Sequence, residues 1–389
     1  MSAAPLSTEC LFEPFRLKGL HLPNRIVLPA MGFHHAEGGV PGVDVANYYA
    51  RRAMGGVALM FTEGVYVDHP VAGNNPLLMR FNGERPLAGW AEVVRRVHRA
   101  RGLIMPELWH VGLIYKTEDV LKGNEPTYYP EEKQISPSGY IMPDRKVSEG
   151  MSLAEIEDVI QSFARGAEKA KEIGFDGVEL HGAHGYLIDQ FFWGEMNRRT
   201  DAYGGSMRNR ARFAAEIVAE IRRRVGADYP IILRISQFKL QDYDAKVART
   251  PKELEEWLAP LIDAGVDAFD CSQRRFWEPE FDGSPLNFAG WVKKVSGLPS
   301  ITVGSVGLDV DMLDTFGTGL APNPQSIDRL LEMMTRGDFD LVAIGRSLIS
   351  DPDWPKKVRA GAMKELIPFT PAIFADSAFL EAYSGEETV

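Results

Sequence analysis

The stretch ELHGAHGYLIDQFF, residues 179–192, places two histidines and a tyrosine close together in the sequence. His181 and His184 are three residues apart, Tyr186 follows two residues later, and glycines separate the three side chains. A short apolar run before them is typical of a buried strand. Two imidazole N–H groups could hold a carbonyl oxygen as it gains negative charge. A neutral phenol could then deliver a proton to the same molecule.

Two other interpretations of the histidine pair remain open. Imidazoles at this spacing can share a divalent metal ion, but such a site needs three or four ligands. His110 is a candidate third ligand, and the sequence shows no further cluster of His or Asp. The two histidines can also be loop residues whose ring nitrogens are satisfied by neighbours. That interpretation is weaker because the three polar residues follow a predicted core strand.

Eight short apolar runs, each followed by a helical pattern, predict eight parallel strands. They are Arg25–Pro29, Val57–Thr62, Ile104–Leu108, Gly177–Leu180, Ile231–Ile235, Ala268–Cys271, Ser300–Val303 and Leu341–Ile344. Eight such units predict an α/β fold, the (β/α)8 TIM barrel, with its active site at the C-terminal strand ends. A doubly wound sheet is the alternative, but no G-x-G-x-x-G motif follows the first strand.

Repeated local patterns support these units. KEIGFDGVEL (171–180), DAGVDAFDCS (263–272) and RGDFDLVAIG (336–345) each contain a glycine that ends a helix, an aspartate and an apolar strand. The clearest helix is predicted at Ser152–Ile173, where Ser152 and Glu155 form a capping box. A second box is predicted from Thr250 and Glu253.

Two long connections depart from the regular pattern. Residues 109–150 are predicted to form a small cap over the barrel mouth, and residues 305–324 an irregular insertion on the same face. Long loops at that face usually shape substrate access. No linker divides the chain, so residues 1–389 are predicted to form a single domain.

The predicted strand ends place glycines and polar residues at the barrel mouth. Those outside the histidine stretch are Pro29, Ala30, Met31, Gly32, Glu63, Gly64, Glu107, Trp109, His110, Arg234, Gly304, Ser305, Gly345 and Arg346. Glycine turns after the last two strands match the usual phosphate site of such barrels, where backbone N–H groups hold an anion. Arg346 could add a guanidinium. These residues indicate a phosphorylated ligand.

Residues 174–213, GFDGVELHGAHGYLIDQFFWGEMNRRTDAYGGSMRNRARF, resemble the signature of the old yellow enzyme family, the FMN-dependent ene-reductases. NRIVLPAMG (24–32), ELWHVG (107–112) and LVAIGRSLISDPDWPKK (341–357) resemble other parts of that family. The resemblance implies a TIM barrel with FMN over the strand ends, reduced by NADH or NADPH. It implies that flavin N5 gives hydride to the β-carbon of an α,β-unsaturated carbonyl compound. His181 and His184 would then hold the carbonyl oxygen, and Tyr186 would protonate the α-carbon.

The resemblance also implies cofactor contacts. Residues 29–32 (Pro29, Ala30, Met31 and Gly32) would touch the flavin through backbone groups, and Gly64 would let the ring approach closely. Arg234 would face the flavin N1–C2 edge, where a cation stabilises the reduced form; an interior salt bridge is its alternative role. The phosphate would be held by Gly345 and Arg346, with Gly304 and Ser305 nearby, and the substrate would also contact His34.

Three positions depart from the family pattern. Glu107 stands where the family usually has glutamine, Gly32 where many members have threonine or cysteine, and Leu113 where arginine is frequent. An ionised carboxylate can only accept hydrogen bonds, and it places negative charge near the edge that becomes anionic on reduction. We expect a flavin potential below that of typical relatives, unless Glu107 is protonated or paired with Arg234.

Composition narrows the partners and the location. A net charge of −11 disfavours nucleic acid and anionic membranes as partners. No apolar run approaches the roughly 20 residues of a membrane span, and the N-terminus lacks a secretory signal. Only Cys10 and Cys271 occur, which excludes a four-cysteine metal site and favours a reducing, cytoplasmic setting. The apolar tail FTPAIFADSAFLEAY is compatible with a homo-oligomer.

Three functional alternatives to ene reduction remain open at this stage. They are a metal-dependent hydrolase on the same barrel, a flavin-binding barrel with little turnover, and a flavin enzyme that reduces nitro groups or nitrate esters. The choice between NADH and NADPH is also open, because both dock on the flavin face without a Rossmann pocket.

Overall fold

A computed structural model of the protein describes residues 6–32, 36–73, 75, 77–115, 134–312, 314–315, 321–371 and 373. Its strands are β1 Phe15–Leu17, β2 Leu20–Leu22, β3 Ile26–Leu28, β4 Leu59–Tyr66, β5 Leu103–Trp109, β6 Tyr140–Met142, β7 Arg145–Lys146, β8 Val178–His184, β9 Ile231–Lys239, β10 Ala268–Ser272, β11 Ser300–Val303 and β12 Leu341–Ala343. Strands β3, β4, β5 and β8 to β12 close into one parallel barrel, and β1–β2 and β6–β7 are separate hairpins. The predicted TIM barrel is confirmed.

Helices follow the barrel strands along the chain. They are α1 Glu9–Phe12, α2 Val43–Met54, α3 Glu84–Arg99, α4 Leu153–Ile173, α5 Leu187–Phe192, α6 Met207–Val225, α7 Pro251–Ala264, α8 Phe288–Ser296, α9 Asp328–Thr335, α10 Arg346–Ser350 and α11 Trp354–Arg359. The long helices present apolar residues to the strands, as Ile156, Val159 and Phe163 of α4 show by their complete burial. No helix in the described part of the chain is long and apolar enough to cross a membrane.

The repeated aspartates attach neighbouring strands to one another at the N-terminal end of the barrel. Each carboxylate accepts a hydrogen bond from the backbone N–H of the strand before it: Asp176 from Ile104 at 2.8 Å, Asp267 from Ile231 at 2.9 Å, and Asp340 from Ser300 at 3.1 Å. Each also pairs with a basic side chain on the helix that leads into that strand, namely His98, Arg222 and Lys293. The repeat therefore encodes the register between adjacent strands.

The N-terminal end of the barrel is closed by an apolar plug. Leu17 and Leu22 of the β1–β2 hairpin pack against interior strand residues, among them Val27, Phe61 and Met105. Because this end of the barrel interior is filled with apolar side chains, the interior can take polar side chains and a ligand toward the C-terminal ends of the strands.

Three predicted strands end too early, because β4, β8 and β9 each continue four residues further, β9 from the predicted Ile235 to Lys239. β4 continues to Tyr66, so Glu63 and Gly64 lie within the strand. β8 continues to His184, so both histidines are strand residues. Two of these strands shift register near their ends, β4 between Phe61 and Gly64 and β8 between Gly182 and His184. Such bulges let pairing continue beyond the apolar run that marked the strand in the sequence.

One of the two predicted capping boxes forms completely. Ser152 Oγ accepts from Glu155 N–H at 3.2 Å, and Glu155 Oε2 accepts from Ser152 N–H at 2.9 Å. Thr250 Oγ1 likewise accepts from Glu253 N–H at 3.2 Å. The Glu253 carboxylate, however, accepts from the N–H of Arg249 rather than of Thr250. The second box is therefore only half formed.

The two long connections are described in part. Residues 116–133 of the predicted cap, and residues 313 and 316–320 of the predicted insertion, lie outside the described residues. In the remainder of the cap segment, Ile141 of the β6–β7 hairpin packs with Leu113 and Tyr115. That residues 109–150 cover the mouth, and that the chain forms one domain, stay predictions.

Candidate active site

Aromatic and imidazole rings from β5 and β8 meet at the barrel mouth. Trp109, the last residue of β5, stacks on His181 with ring centroids 5.8 Å apart. Tyr186, the N-cap of α5, contacts both rings edge-on, at 4.8 Å from Trp109 and 4.9 Å from His181. The His184 ring lies 5.1 Å from that of His181. The structure thus brings together the three residues predicted for catalysis, with Trp109 as a shared packing partner.

A left-handed turn joins the second histidine to the tyrosine. His184 and Gly185 have φ values of 64° and 84°. A non-glycine residue in this region carries strain of about 1–3 kcal/mol, which its surroundings must offset. Ser236 Oγ accepts from His184 N–H at 2.9 Å, and Ser272 Oγ lies 2.8 Å from His184 Nε2. Because β8 ends in this turn, Tyr186 comes to lie beside His181.

A buried ion pair stabilises the turn. Lys239 Nζ lies 2.6 Å from Asp189 Oδ1, and both side chains are fully buried. Asp189 Oδ2 accepts a hydrogen bond from Gly185 N–H at 2.7 Å. Burial raises the pKa of Asp189 to about 6, against the opposing effect of the ammonium, and it lowers the pKa of Lys239. The pair therefore connects the end of β9 to the backbone between His184 and Tyr186.

The candidate catalytic side chains are uncharged at neutral pH. Burial, together with the nearby Arg234 guanidinium, holds the pKa of His181 and that of His184 well below the ordinary value. His181 Nδ1 accepts from Ala183 N–H at 3.4 Å, which leaves the ring proton on Nε2. Burial raises the pKa of the Tyr186 hydroxyl, so the phenol keeps its proton. The site offers N–H and O–H donors without a positive charge.

Three carboxyl groups and one guanidinium occupy the barrel interior below the mouth. Each lies two residues before a mouth residue on its strand, namely Trp109, His181, Ser236 or Ser272. Glu107 and Glu179 are register partners on β5 and β8, and Arg234 and Asp270 on β9 and β10. Arg234 Nη1 lies 3.2 Å from Glu107 Oε1, and Arg234 Nε lies 3.3 Å from Asp270 Oδ2. Burial raises the pKa of Glu107 to about 7 and raises the pKa values of Glu179 and Asp270. Because one cation cannot balance three buried carboxylates, at least one carboxyl is protonated at neutral pH.

The pairing of Glu107 with Arg234 bears on the expected flavin potential. The expectation of a low potential assumed an ionised, unpaired carboxylate at position 107. In the structure Glu107 pairs with Arg234, and burial raises the pKa of Glu107 to about 7. The pair meets the exception made for Glu107, so the charge of this residue no longer supports a low flavin potential, and the potential itself stays untested.

The glycine within β4 makes room for the indole. A Cβ at Gly64 would lie 2.8 Å from Trp109 Cε3 and 3.2 Å from Glu107 Oε2. Real Cβ atoms do not approach carbon atoms this closely, so a larger residue would displace the ring. The family resemblance implies that glycine at position 64 lets a flavin ring approach closely. The structure gives a second reason for glycine, which is the room needed by the Trp109 indole.

Glycine turns gather on the other side of the mouth. Gly304 and Ser305 follow β11 with φ values of 143° and 53°. Gly345 precedes α10, whose N-terminus has no side-chain cap. The Arg346 guanidinium contacts Ser305 Oγ at 3.2 Å and the carbonyl oxygens of Val310 and Asp311 at 2.7 and 3.0 Å. Arg346 thus holds the segment after β11, and the uncapped N–H groups of α10 are available to an anion.

The mouth has the groups that FMN requires. Ala30, Met31, Val303 and Gly345 are partly exposed at three adjacent strand ends and provide an apolar surface for a ring system. Arg234 lies below the mouth, with Nη1 3.3 Å from the carbonyl oxygen of Ala30, and the N–H groups of α10 lie at another side, which suits a ring edge and a phosphate. Pro29 is buried and Gly32 exposed beside them. His34 lies outside the described residues.

His110 is not part of the histidine pair. Its Nε2 lies 3.1 Å from His69 Nδ1, and its Nδ1 accepts from Gly112 N–H. Among the residues that the structure describes, no group of three or more His, Cys, Asp or Glu side chains is arranged to hold a metal ion.

Several residues of the site were not found from the sequence. They are Glu179, Asp189, Lys239, Asp270 and Ser272. Strand alternation would have indicated part of this set, because residues two apart in a strand point to the same side. Glu179 precedes His181 by two positions, and Asp270 precedes Ser272 by two. The Asp189–Lys239 contact joins residues about fifty positions apart and has no local signal.

Comparison of the sequence and the structure with known proteins identifies the family of this chain. Residues 10–365 match the NADH:flavin oxidoreductase / NADH oxidase family. The chain is 34% identical to an NADH oxidase of Thermoanaerobacter brockii over 92% of its own length, and it spans only 52% of that relative. It is 31% identical to 12-oxophytodienoate reductase 7 of Oryza sativa subsp. japonica, over 90% of this chain and 88% of the relative. Among solved structures, morphinone reductase in complex with tetrahydroNAD matches with a TM-score of 0.75 at 24% identity, over 96% of each chain, which shows the shared fold.

The family match includes all eight barrel strands and every candidate catalytic side chain. It sets aside the metal-dependent hydrolase, since the matched family uses a flavin. The chain therefore belongs to the NADH:flavin oxidoreductase / NADH oxidase family, the old yellow enzyme family of FMN-dependent oxidoreductases.

Proposed function

We propose that the protein reduces the activated C=C bond of α,β-unsaturated carbonyl compounds with electrons from NADH or NADPH. When bound over the strand ends, FMN would accept a hydride from the nicotinamide and pass it to the β-carbon of the substrate. The observation that carries the proposal is the group of His181, His184 and Tyr186, with neighbouring centroids within about 5 Å. All three offer hydrogen-bond donors without a positive charge.

The two imidazoles would bind the carbonyl oxygen. His181 has its proton on Nε2 because Nδ1 accepts from Ala183 N–H. His184 Nε2 lies 2.8 Å from Ser272 Oγ; if the hydroxyl donates, the ring proton is left on Nδ1 for the substrate. Neutral donors held in place in a buried site stabilise developing negative charge without reorganising. The oxygen would therefore be bound more tightly as the enolate forms.

Tyr186 would protonate the α-carbon. Its raised pKa keeps the proton on the phenol until a strongly basic carbon is next to it. The ring is fixed edge-on to both Trp109 and His181, so the hydroxyl stays on the same wall as the carbonyl site. Removing the hydroxyl should slow substrate reduction and leave flavin reduction intact.

The remaining roles concern the cofactor. Arg234 and the backbone of residues 29–32 would contact the flavin ring, with Glu107 and Gly64 beside it. Gly304, Ser305, Gly345 and Arg346 would surround the phosphate, Arg346 mainly by holding the segment after β11. The substrate contact of His34 stays a prediction.

Anaerobic stopped-flow on the holoenzyme tests the proposal. Bleaching of the flavin band by NADH or NADPH, followed by its return with 2-cyclohexenone, is the expected result and also assigns the coenzyme. Tyr186→Phe should bleach at the wild-type rate and recover at a rate lower by about 10²–10⁴. Recovery with a nitro compound or nitrate ester but not with the enone would contradict the proposal and favour that alternative. Wild-type recovery in the variant would remove Tyr186 from the mechanism.

A further inference from the structure

Glu107, Glu179, Asp270 and Arg234, here called the acid cluster, have no task in the proton transfer assigned to Tyr186. The four side chains come from four adjacent strands, β5, β8, β9 and β10. All three carboxyl groups are at most 2% exposed, which is unusual for groups that are normally ionised. Four buried titratable groups at the base of a cofactor site call for a physical account.

Burial raises the pKa values of two of the carboxyl groups, which interact with each other. Glu179 and Asp270 receive no hydrogen bond from an N–H or hydroxyl group of the described residues. Their carboxyl groups are instead within hydrogen-bonding reach of each other, a contact that requires one proton between them. Asp270 is the partner closer to a cation, with Arg234 Nε at 3.3 Å. Glu179 therefore carries the proton, and ionised Asp270 balances the charge of Arg234.

Glu107 is the member of the acid cluster whose charge can change near neutral pH. Its Oε1 lies 3.2 Å from Arg234 Nη1 and 3.9 Å from His181 Nε2. Arg234 favours the ionised form, while burial and ionised Asp270 favour the protonated form. Because burial outweighs the guanidinium, the pKa of Glu107 rises from 4.5 to about 7. A modest additional charge nearby is enough to change its protonation state.

We propose that Glu107 takes up one proton from solution when the bound flavin is reduced and releases it when the flavin is reoxidised. The inference rests on the proposed function, in which Arg234 faces the flavin N1–C2 edge. NAD(P)H gives a hydride, hence two electrons, to the flavin, and NAD(P)⁺ leaves. Reduced FMN, when bound there, would add one negative charge beside Arg234, which already pairs with Glu107. Glu107 is the anion there that can be neutralised by a proton, and that proton comes from water.

The pH dependence of the flavin midpoint potential measures this proton. For a two-electron couple, one proton taken up per reduction gives about 30 mV per pH unit, and two protons give about 60 mV. Conversion of oxidised flavin to its anionic reduced form takes two electrons and one proton, so the flavin alone accounts for one proton. We therefore expect the wild-type holoenzyme to show about 30 mV per unit below pH ~7 and about 60 mV above it. Protonation of the flavin ring itself would bend the curve the other way, with the steeper slope at low pH.

Two amide variants assign the proton to its residue. Glu107→Gln should show the shallow slope of about 30 mV per pH unit on both sides of neutrality. Glu179→Gln is the matched control, since Glu179 is protonated in both redox states and its replacement should keep the steep arm. Reduction by NADH or NADPH transfers a hydride and takes no proton from solution. In weakly buffered solution near pH ~8, the wild type and Glu179→Gln should therefore each take up about one proton per flavin, and Glu107→Gln should take up about none.

Other results would overturn the inference. A wild-type slope of about 30 mV per unit throughout would remove the second proton, and this measurement needs no variant. A steep arm retained in Glu107→Gln would assign the proton to another group. A protein that binds no FMN would instead remove the proposed function itself, so the two failures are distinguishable by the colour of the protein.

Discussion

Breaking the buried pair between Lys239 and Asp189 should destabilise the protein far more than breaking an exposed pair of equal length. Both Lys239–Asp189 and Lys169–Glu172 have an N–O distance of 2.6 Å, but the first is fully buried and the second about half exposed. Lys239→Met keeps the length of the side chain and removes its charge. Asp189 would then be a buried carboxylate whose remaining partner is Gly185 N–H.

The expected loss in the free energy of unfolding of Lys239→Met at pH ~7 is roughly 3–5 kcal/mol. The lower end is favoured, because Asp189 already has a raised pKa of about 6 and can take up a proton once its partner is gone. In the variant the folded state binds that proton more tightly than the unfolded chain does. The loss should therefore shrink as the pH falls from about 7 to about 5.

Urea denaturation followed by circular dichroism measures the loss, with two controls. Lys169→Met should leave the midpoint unchanged within error, because its charge is exposed to water. Asp189→Asn combined with Lys239→Met should recover most of the lost stability, since the amide oxygen can still accept from Gly185 N–H. If Lys239→Met were as mild as Lys169→Met, the argument from burial would be refuted.

The same variant tests whether the pair positions the catalytic turn. Gly185 lies between His184 and Tyr186, so loosening Asp189 should misplace both. Flavin reoxidation by 2-cyclohexenone should slow by at least tenfold, while bleaching by NAD(P)H stays near the wild-type rate. A destabilised variant with unchanged reoxidation would limit the pair to a structural role.

Three further changes probe the mouth. Ser272→Ala removes the partner of His184 Nε2 and should slow the oxidative half-reaction about tenfold, the worth of one hydrogen bond, with flavin reduction unchanged. Gly64→Ala should cost about 1–3 kcal/mol and displace the Trp109 indole, seen as a lower melting temperature and a shifted tryptophan fluorescence maximum. Glu107→Gln should make the apoprotein more stable above pH ~7, by up to about 3 kcal/mol, because burial raises the pKa of Glu107 from 4.5 to about 7 and the folded state resists its ionisation. This gain should shrink as the pH falls from about 7 and should vanish below pH ~4.5, where the carboxyl is protonated in both the folded and the unfolded chain. A gain that grew at low pH would contradict the raised pKa.

The N-terminal half of the barrel was predictable because its determinants recur as a pattern along the sequence. Ser300–Val303 has the predicted bounds, and the strand beginning at Ile231 starts where the apolar run starts. The aspartate of each repeat is part of the same pattern and accepts from the first residues of the adjacent strand. Apolar packing and one aspartate contact, repeated between neighbouring strands, therefore specify this end of each strand.

The C-terminal ends were harder to predict because pairing there does not follow hydrophobicity. β8 continues through His181, Gly182 and His184 after its apolar residues end, since a bulge restores pairing with β9. The catalytic group was still found, because its three members lie within one short stretch. Contacts between strands, such as Glu179 with Asp270, depend on register across the barrel and leave no mark in a single stretch of sequence.

Arg234 links the two levels of the site. Its charge helps to lower the pKa of His181 and of His184, and it also favours the ionised form of Glu107. When Glu107 is ionised, part of the field of the guanidinium is cancelled, and the histidines feel less of it. When Glu107 is protonated, only Asp270 offsets the guanidinium, so more of its charge acts on the imidazoles and keeps them neutral. The protonation of a buried carboxyl thus sets how strongly one cation acts on the residues that would bind substrate, although that carboxyl makes no direct contact with substrate in the proposed mechanism.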